Sequence, residues 1–155
     1  MDLRQIYESF YDADEINTTM EAFEGLCEAA GAGHSDDMLE RFGRLEQSLC
    51  PSLPFKHQKI FSLLRARIDR LASTCDTNRT QEVLVSGAGP VGLRAAVECA
   101  LIGMNVTVIE MRNSFSRANI LTLWTKTHAD LIGLGAKYYY PSMQMVGNPR
   151  LFLGT

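Results

Sequence analysis

A glycine-rich turn between two short apolar segments constrains this chain more than any other stretch. The turn reads Gly87-Ala-Gly-Pro-Val-Gly92 and follows the apolar run at residues 83–85. A helical run comes next, and a second apolar run, Val106-Thr-Val-Ile-Glu110, ends on an acid 18 residues after Gly92. This order of strand, G-x-G-x-x-G, helix, strand and acid is typical of a βαβ unit that binds a dinucleotide.

The three glycines and the acid each have a separate role in such a unit. Gly87 permits the tight turn, Gly89 lets the backbone approach a pyrophosphate, and Gly92 lets the helix pack closely on the sheet. The free N–H groups and the dipole at the start of the helix attract the anion. Glu110 can accept hydrogen bonds from a ribose 2′-OH. The pattern predicts an α/β chain with a Rossmann-type βαβ half: a strand at 82–86, a helix at 90–103 and a buried parallel strand at 106–110.

The chain before this unit predicts only helices. Residues 1–30 show helical spacing, with Thr18 and Glu21 as a capping box and glycines at 31–33 as the stop. Ser35 is the expected N-cap of the next helix, and a third helix is expected from about Phe55 to Ala72. We therefore divide the chain into an all-helical lead-in and linker, residues 1–81, and a cofactor-binding segment, residues 82–155. Basic side chains of the third helix are expected to be solvated: Lys56, Lys59, Arg65, Arg67 and Arg70.

Beyond the second strand the pattern weakens. Residues 113–124 are expected to form a loop, with Trp124 in the core or a pocket wall. Thr125 is the expected cap of a short helix that ends near Leu134, before Gly135. Residues 138–140 read as an ambiguous strand.

Composition narrows the classes of function. The chain has 155 residues, 46% of them apolar, and a net charge of −3, so neither nucleic acid nor a membrane is an expected partner. It has no apolar run near 18 residues and no signal-peptide pattern, which makes the cytoplasm the expected compartment. The four cysteines and three histidines are scattered, so we expect reduced thiols and no metal site. No residue stands out as a catalytic acid, base or nucleophile.

The type of dinucleotide follows in part from the neighbours of the turn. Glu110 disfavours a 2′-phosphate, which leaves NAD or the AMP half of FAD. Pro90 at the helix start and Arg112 after the acid favour FAD. Arg117 and Asn119 follow the second strand, where ligands of parallel sheets bind, and could contact pyrophosphate or ribose. Two solvated arginines in a loop are the alternative on residue type alone.

The longer motifs resemble one flavoprotein family. Gly87-Ala-Gly-Pro-Val-Gly-Leu-Arg94, Val108-Ile-Glu-Met-Arg112, Phe115-Ser-Arg-Ala-Asn-Ile-Leu-Thr-Leu-Trp124 and Asp130-Leu-Ile-Gly-Leu-Gly-Ala-Lys137 are similar to the monooxygenase domain of the MICAL proteins. The segment at 64–67 of the lead-in resembles that family as well. The departures include Val91, where the family usually carries Cys.

The resemblance implies a cofactor, an activity and a partner. It implies that FAD is bound, that NADPH is the electron donor of the intact enzyme, and that methionines of actin filaments are oxidised near the cytoskeleton. It implies FAD contacts at Gly87, Gly89, Val91, Gly92, Glu110, Met111, Arg112, Arg117, Ala118 and Asn119. Because the family needs several hundred further residues for catalysis, we expect this chain to be an N-terminal part of such an enzyme. A generic flavoprotein hydroxylase without an actin substrate, and a non-catalytic remnant, are the alternatives.

Overall fold

The computed structural model describes residues 2–13, 15–33, 37–74, 81–112, 121–136 and 151–153. This part of the chain is mostly helical, with two small sheets. Its elements are α1 (Leu3–Tyr11), α2 (Ile16–Ala29), α3 (Met38–Leu49), a 3-10 turn (Cys50–Ser52), α4 (Phe55–Thr74), β1 (Glu82–Ser86), α5 (Pro90–Ile102), β2 (Asn105–Ile109), β3 (Leu121–Leu123), α6 (Thr125–Gly133) and β4 (Leu151–Leu153). None of these helices combines the length and the apolar character that crossing a membrane requires.

The helical lead-in has a core of its own. The apolar positions of α1, α2 and α3 recur at spacings of three and four, so each helix presents one apolar side to the others. Leu49 of α3 is only 1% exposed, and burying a side chain of this size stabilises the fold by about 1.5–3 kcal/mol. The buried cluster comprises Tyr7, Leu26, Cys27, Ala32, Leu45, Leu49 and Leu53.

The ends of the lead-in helices are set by local hydrogen bonds. After α2 the chain turns at Gly31, whose φ of 69° favours glycine, and Arg44 donates to its carbonyl oxygen at 3.1 Å. The predicted capping box at Thr18 is wrong, because Glu15 is the N-cap and Thr18 lies inside α2. Asp37 caps α3 by accepting from the N–H of Leu39 at 2.8 Å. Ser35, the predicted cap, lies outside the described residues.

The predicted βαβ unit is present. β1 and β2 pair in parallel and in register, from Glu82 opposite Asn105 to Ser86 opposite Ile109. The connecting α5 begins at Pro90 and ends before Gly103, whose φ is 94°. β2 lies one residue earlier than predicted, so Glu110 follows the strand directly. The unit is consistent with an α/β fold, although its parallel sheet has only two strands in the described part of the chain.

The predicted burial of this sheet is wrong. Leu84 is 66% exposed, and Val108 and Ile109 also face solvent. On α5, Leu101 is buried as predicted, whereas Leu93 and Val97, predicted to face the sheet, are exposed. In the described residues α5 packs on both strands, but no third strand pairs with them. The apolar side chains of the sheet are therefore left open.

The segment after β2 differs from the prediction as well. Residues 121–123, expected in a loop, form β3, which pairs antiparallel with β4. Trp124, expected in the core, is 83% exposed and is the N-cap of α6, so Thr125 begins the helix rather than capping it. Gly135 ends this region with a φ of 96°. Residues 138–140 lie outside the described residues.

Two basic residues of α4 are not simply solvated, contrary to the prediction. Arg65 forms an ion pair with Glu46 of α3, and Arg67 forms one with Glu98 of α5. These contacts attach α4 to the helices on either side of it. They also bring the lead-in against the βαβ unit, as the short length of the lead-in suggested, while the boundary near residue 81 stays a prediction.

Candidate functional site

The glycine turn has the backbone geometry that its sequence predicts. Gly87 has a φ of 102°, a conformation that L side chains rarely adopt, and its N–H donates to the carbonyl oxygen of Ile109 at 2.7 Å. A Cβ at Gly92 would lie closer than 3.0 Å to the carbonyl oxygen of Gly87 and 3.2 Å from Cγ1 of Val85. A Cβ at Gly89 would meet nothing within 4 Å. The turn is therefore tightly packed beneath Gly92 and open above Gly89.

Glu110 connects the end of β2 to this turn. Its Oε2 accepts from the N–H of Ala88 at 2.9 Å. Its Oε1 accepts from the backbone N–H of Arg112 at 2.9 Å and from Nε of the same residue at 3.0 Å. Nη2 of Arg112 lies 3.3 Å from Oε2. These four bonds use the roughly four acceptor positions of a carboxylate.

The bonds to Glu110 keep its side chain charged. The Arg112 guanidinium contributes most, followed by the backbone N–H groups of Arg112 and Ala88, and together they lower the pKa of Glu110 to about 2. The carboxylate is therefore ionised at physiological pH. A fixed anion at this place repels a phosphate and attracts hydroxyl donors.

An open cavity of about 620 Å³ lies beside the turn and Glu110. It is lined by Ser86, Gly87, Ile109, Glu110, Met111 and Arg112. Its volume is within the range of small-molecule and cofactor sites. Met111 is 97% exposed at its rim, and Val91 is exposed on the first turn of α5. Hydroxyl acceptor, apolar rim and helix N-terminus are the groups that an adenosine diphosphate needs, so these residues fit the dinucleotide predicted from the sequence.

The structure brings most of the predicted site residues together. Gly87, Gly89, Val91 and Gly92 form one turn, and residues 110–112 follow the neighbouring strand at the same end of the sheet. Arg117, Ala118 and Asn119 lie outside the described residues. The sequence analysis missed the N–H of Ala88, because a backbone donor has no residue-type signal. It could have been found only from the register of the two strands.

The remaining reactive side chains do not form a second site. Burial raises the pKa values of Cys27 and Cys50, which keeps both thiols protonated. His57 is packed against Tyr7, with the Tyr7 hydroxyl and His57 Nδ1 2.8 Å apart. Among the residues that the structure describes, no group of His, Cys, Asp and Glu could hold a metal ion.

Comparison with known proteins shows close similarity to one group of enzymes. No family model matches the chain. It is 37% identical over 139 residues to F-actin-monooxygenase MICAL1 of Rattus norvegicus, which covers 86% of this chain and 12% of the rat protein. It is 34% identical over 140 residues to F-actin-monooxygenase MICAL3 of Homo sapiens, covering 87% of this chain and 7% of the human protein.

A third relative has the same coverage. The protein-methionine sulfoxide oxidase mical3b of Danio rerio is 34% identical over 140 residues, which is 87% of this chain and 8% of the fish protein. The chain thus spans only a small part of the length of the curated relatives it matches. Because the similarity extends over most of this chain and the relatives share one name, the chain belongs to the MICAL family of monooxygenases.

Proposed function

We propose that this chain forms the half of an FAD site that holds the adenosine and pyrophosphate in a MICAL-type flavoprotein monooxygenase. The observation that carries the proposal is the bond between the Ala88 N–H and Glu110, which joins the glycine turn to the acid at the end of β2. In this proposal residues 82–155 are a Rossmann-type segment, and residues 1–81 are a helical lead-in that packs on it.

The ribose contacts follow from the acceptors of Glu110. Two of its four hydrogen bonds come from the Arg112 side chain, which is partly exposed. The ribose hydroxyls would take the places of these two donors, while the backbone bonds from Ala88 and Arg112 remain. The released guanidinium could then turn to a phosphate oxygen, for which arginine is suited. Met111 would cover the adenine from the rim.

The pyrophosphate contacts follow from the start of α5. Its first N–H groups have no partner inside the helix, and the helix dipole adds partial positive charge there. Since a Cβ at Gly89 would point into open space, a ligand can approach the backbone at this residue. We propose that Gly87, Gly89, Val91 and Gly92 contact the pyrophosphate through the backbone, with Arg117, Ala118 and Asn119 as further FAD contacts.

The chemistry of the whole enzyme is carried over from the relatives. When bound, the flavin would carry electrons from NADPH to O₂. The names of the rat and human relatives give F-actin as the substrate of those proteins. We propose actin filaments as the partner of the protein that contains this segment, and the cytoplasm with its cytoskeleton as its location.

Titration with FAD tests the proposal directly. Bound FAD is measured by the quenching of flavin fluorescence on the chain and on Glu110→Gln. The matched control is Glu8→Gln, which breaks an exposed ion pair with Arg4 far from the turn. We expect the control to bind FAD as the unaltered chain does. We expect Glu110→Gln to bind about tenfold more weakly, a difference of about 1.4 kcal/mol in binding free energy for the loss of charged acceptors.

The outcomes separate the parts of the proposal. Equal FAD affinity of Glu110→Gln and the unaltered chain would remove Glu110 from the site. A chain that does not bind FAD at all would show that this segment does not form a cofactor site by itself. Stimulation of NADPH oxidation by filamentous actin, measured on the enzyme that contains this segment, tests the partner; a lack of stimulation would favour a hydroxylase with another substrate.

A further inference from the structure

Four charged side chains from three helices form one ion cluster: Arg67 of α4, Arg94 and Glu98 of α5, and Asp130 of α6. Arg94 donates to Asp130 in a bidentate manner, from Nε to Oδ2 at 2.6 Å and from Nη2 to Oδ1 at 3.0 Å. Arg67 donates to Oε1 of Glu98 from Nη2 at 2.7 Å and from Nε at 3.2 Å. Two further contacts close the ring, Arg94 with Glu98 at 2.9 Å and Arg67 with Asp130 at 3.5 Å.

The ion cluster is partly buried and balanced in charge. Its four side chains are between 21% and 32% exposed, and they carry two positive and two negative charges. The hydrogen bond from Arg94 lowers the pKa of Asp130. Burial alone would raise the pKa of Glu98, but hydrogen bonds from Arg67 and Arg94 outweigh burial and lower it. Removing one member would therefore leave a charge without its partner, which costs more than an exposed pair would.

The cluster lies directly behind the glycine turn. Arg94 is two residues after Gly92, on the first turns of α5. On the sheet side, this part of α5 is held by the tight packing of Gly92 on Val85 and on the Gly87 carbonyl. On the other side it is held by Asp130 and, one turn further along, by Arg67 through Glu98. The start of α5 is thus fixed from two directions.

Helix α6 depends strongly on the same contact. It has no buried residue in the described part of the chain. Its described attachments to the rest of the fold are the ion pairs of Asp130 and the packing of Gly135 beside Ile60 of α4. The Arg94–Asp130 pair therefore sets the distance between α5, which carries the glycine turn, and α6.

We propose that the ion cluster positions the glycine turn for its ligand, with Arg94 and Asp130 as positioning residues that do not touch the ligand themselves. The cluster makes the helical lead-in, through Arg67, part of the machinery that shapes the cofactor site. The effect on FAD affinity rests on the proposed function. The effect on the turn itself does not, because it concerns the protein alone.

Hydrogen exchange of two amides tests the positioning without any cofactor. The N–H groups of Gly87 and Ala88 donate to Ile109 and Glu110 and report the order of the turn. The variant is Asp130→Asn, which removes the charge and keeps the shape. The matched control is Glu46→Gln, which breaks the Arg65 ion pair within the lead-in and leaves α5 untouched. The amide of Leu49 in the lead-in core serves as the reference for general stability.

We expect Asp130→Asn to exchange about tenfold faster at Gly87 and Ala88, with a much smaller change at Leu49, as for the loss of a coupled contact. Asp130→Glu, which restores the charge, should regain part of the protection. Glu46→Gln should leave both turn amides unchanged. If Asp130→Asn does not fold, Arg94→Lys replaces it, because lysine keeps the charge but loses the bidentate geometry.

FAD titration of the same variants provides the second readout. We expect about tenfold weaker binding by Asp130→Asn and unchanged binding by Glu46→Gln. Failure of the unaltered chain to bind FAD would overturn the proposed function, and the exchange result would still decide the role of the cluster. Unchanged exchange at Gly87 and Ala88 in Asp130→Asn, or an equal increase at Leu49, would overturn the positioning role.

Discussion

Gly92 allows the sharpest test of the turn, because the structure predicts opposite outcomes for similar substitutions. In Gly92→Ala the added Cβ would lie closer than 3.0 Å to the Gly87 carbonyl oxygen and 3.2 Å from Val85. The first neighbour is backbone, in a turn that a hydrogen bond to β2 already holds in place. Relief therefore requires that the start of α5 move away from β1.

The magnitude comes from two opposing contributions. Overpacking a close contact costs about 1–3 kcal/mol, and a clash with backbone belongs at the upper end. Alanine inside a helix gains about 1 kcal/mol over glycine. We therefore expect Gly92→Ala to lower the free energy of unfolding by about 2 kcal/mol, or the melting temperature by about 4–8 °C for a chain of this size.

Two other glycines supply the controls. Gly25 lies inside α2, where an added Cβ meets nothing within 4 Å, so Gly25→Ala should stabilise by up to about 1 kcal/mol. Gly89 has a φ of −73° and equally open surroundings, so Gly89→Ala should fold normally. If the pyrophosphate approaches the backbone here, its Cβ should still weaken FAD binding.

The assay is urea unfolding followed by circular dichroism, with FAD titration of each folded variant. The order of stability should be Gly25→Ala first, then the unaltered chain with Gly89→Ala, and Gly92→Ala last. A Gly92→Ala variant as stable as the unaltered chain would refute the close packing of α5 on the turn. Normal FAD affinity of Gly89→Ala would refute a backbone approach at that residue.

Three further predictions concern the core and the titrating groups. Leu49→Ala should lower the free energy of unfolding by about 2–5 kcal/mol in urea titrations, because Leu49 is almost fully buried. In Arg112→Met the pKa of Glu110 should rise from about 2 toward 4.5, as read from its carboxyl carbon shift in NMR. Because this pKa is lowered in the fold, the contribution of Glu110 to stability is complete above 4.5 and is lost as the pH falls through about 2. Burial, then Lys56, lowers the pKa of His57 below 6.5, so stability should fall as the pH drops below that value, and less so in His57→Asn.

Local signals in the sequence predicted the elements well. The bounds of β1 and the start of α5 follow from the apolar run, the glycines and Pro90, all of which act on their own stretch of backbone. The stop at Gly103 and the long α4 follow for the same reason. The N-caps were less predictable: Asp37 and Glu15 compete with nearby polar residues, and the cap is decided by which carboxylate or backbone group the tertiary fold leaves in reach.

Contacts between distant segments could not be predicted. The spacing of Arg94 and Glu98 suggests a helical pair, but nothing in the sequence connects them to Arg67, 31 residues before Glu98, or to Asp130, 36 residues after Arg94. The basic face of α4 was therefore expected to be solvated. In the same way, the apolar run of β2 predicts a sheet covered on both faces, and this holds only where enough chain is present to cover it.

The central contact of the site was nevertheless implicit in the sequence, through the lengths of the strands. β1 and β2 each have five residues and pair in register, so Ser86 and Ile109 end at the same level. The next residues, Gly87 and Glu110, therefore leave the sheet side by side, and the N–H of Ala88 comes within reach of the carboxylate. Deleting one residue of β2 would move Glu110 by one position and turn its side chain to the other face. The glycines shape the turn, but it is the equal length of the strands that gives the turn its acid.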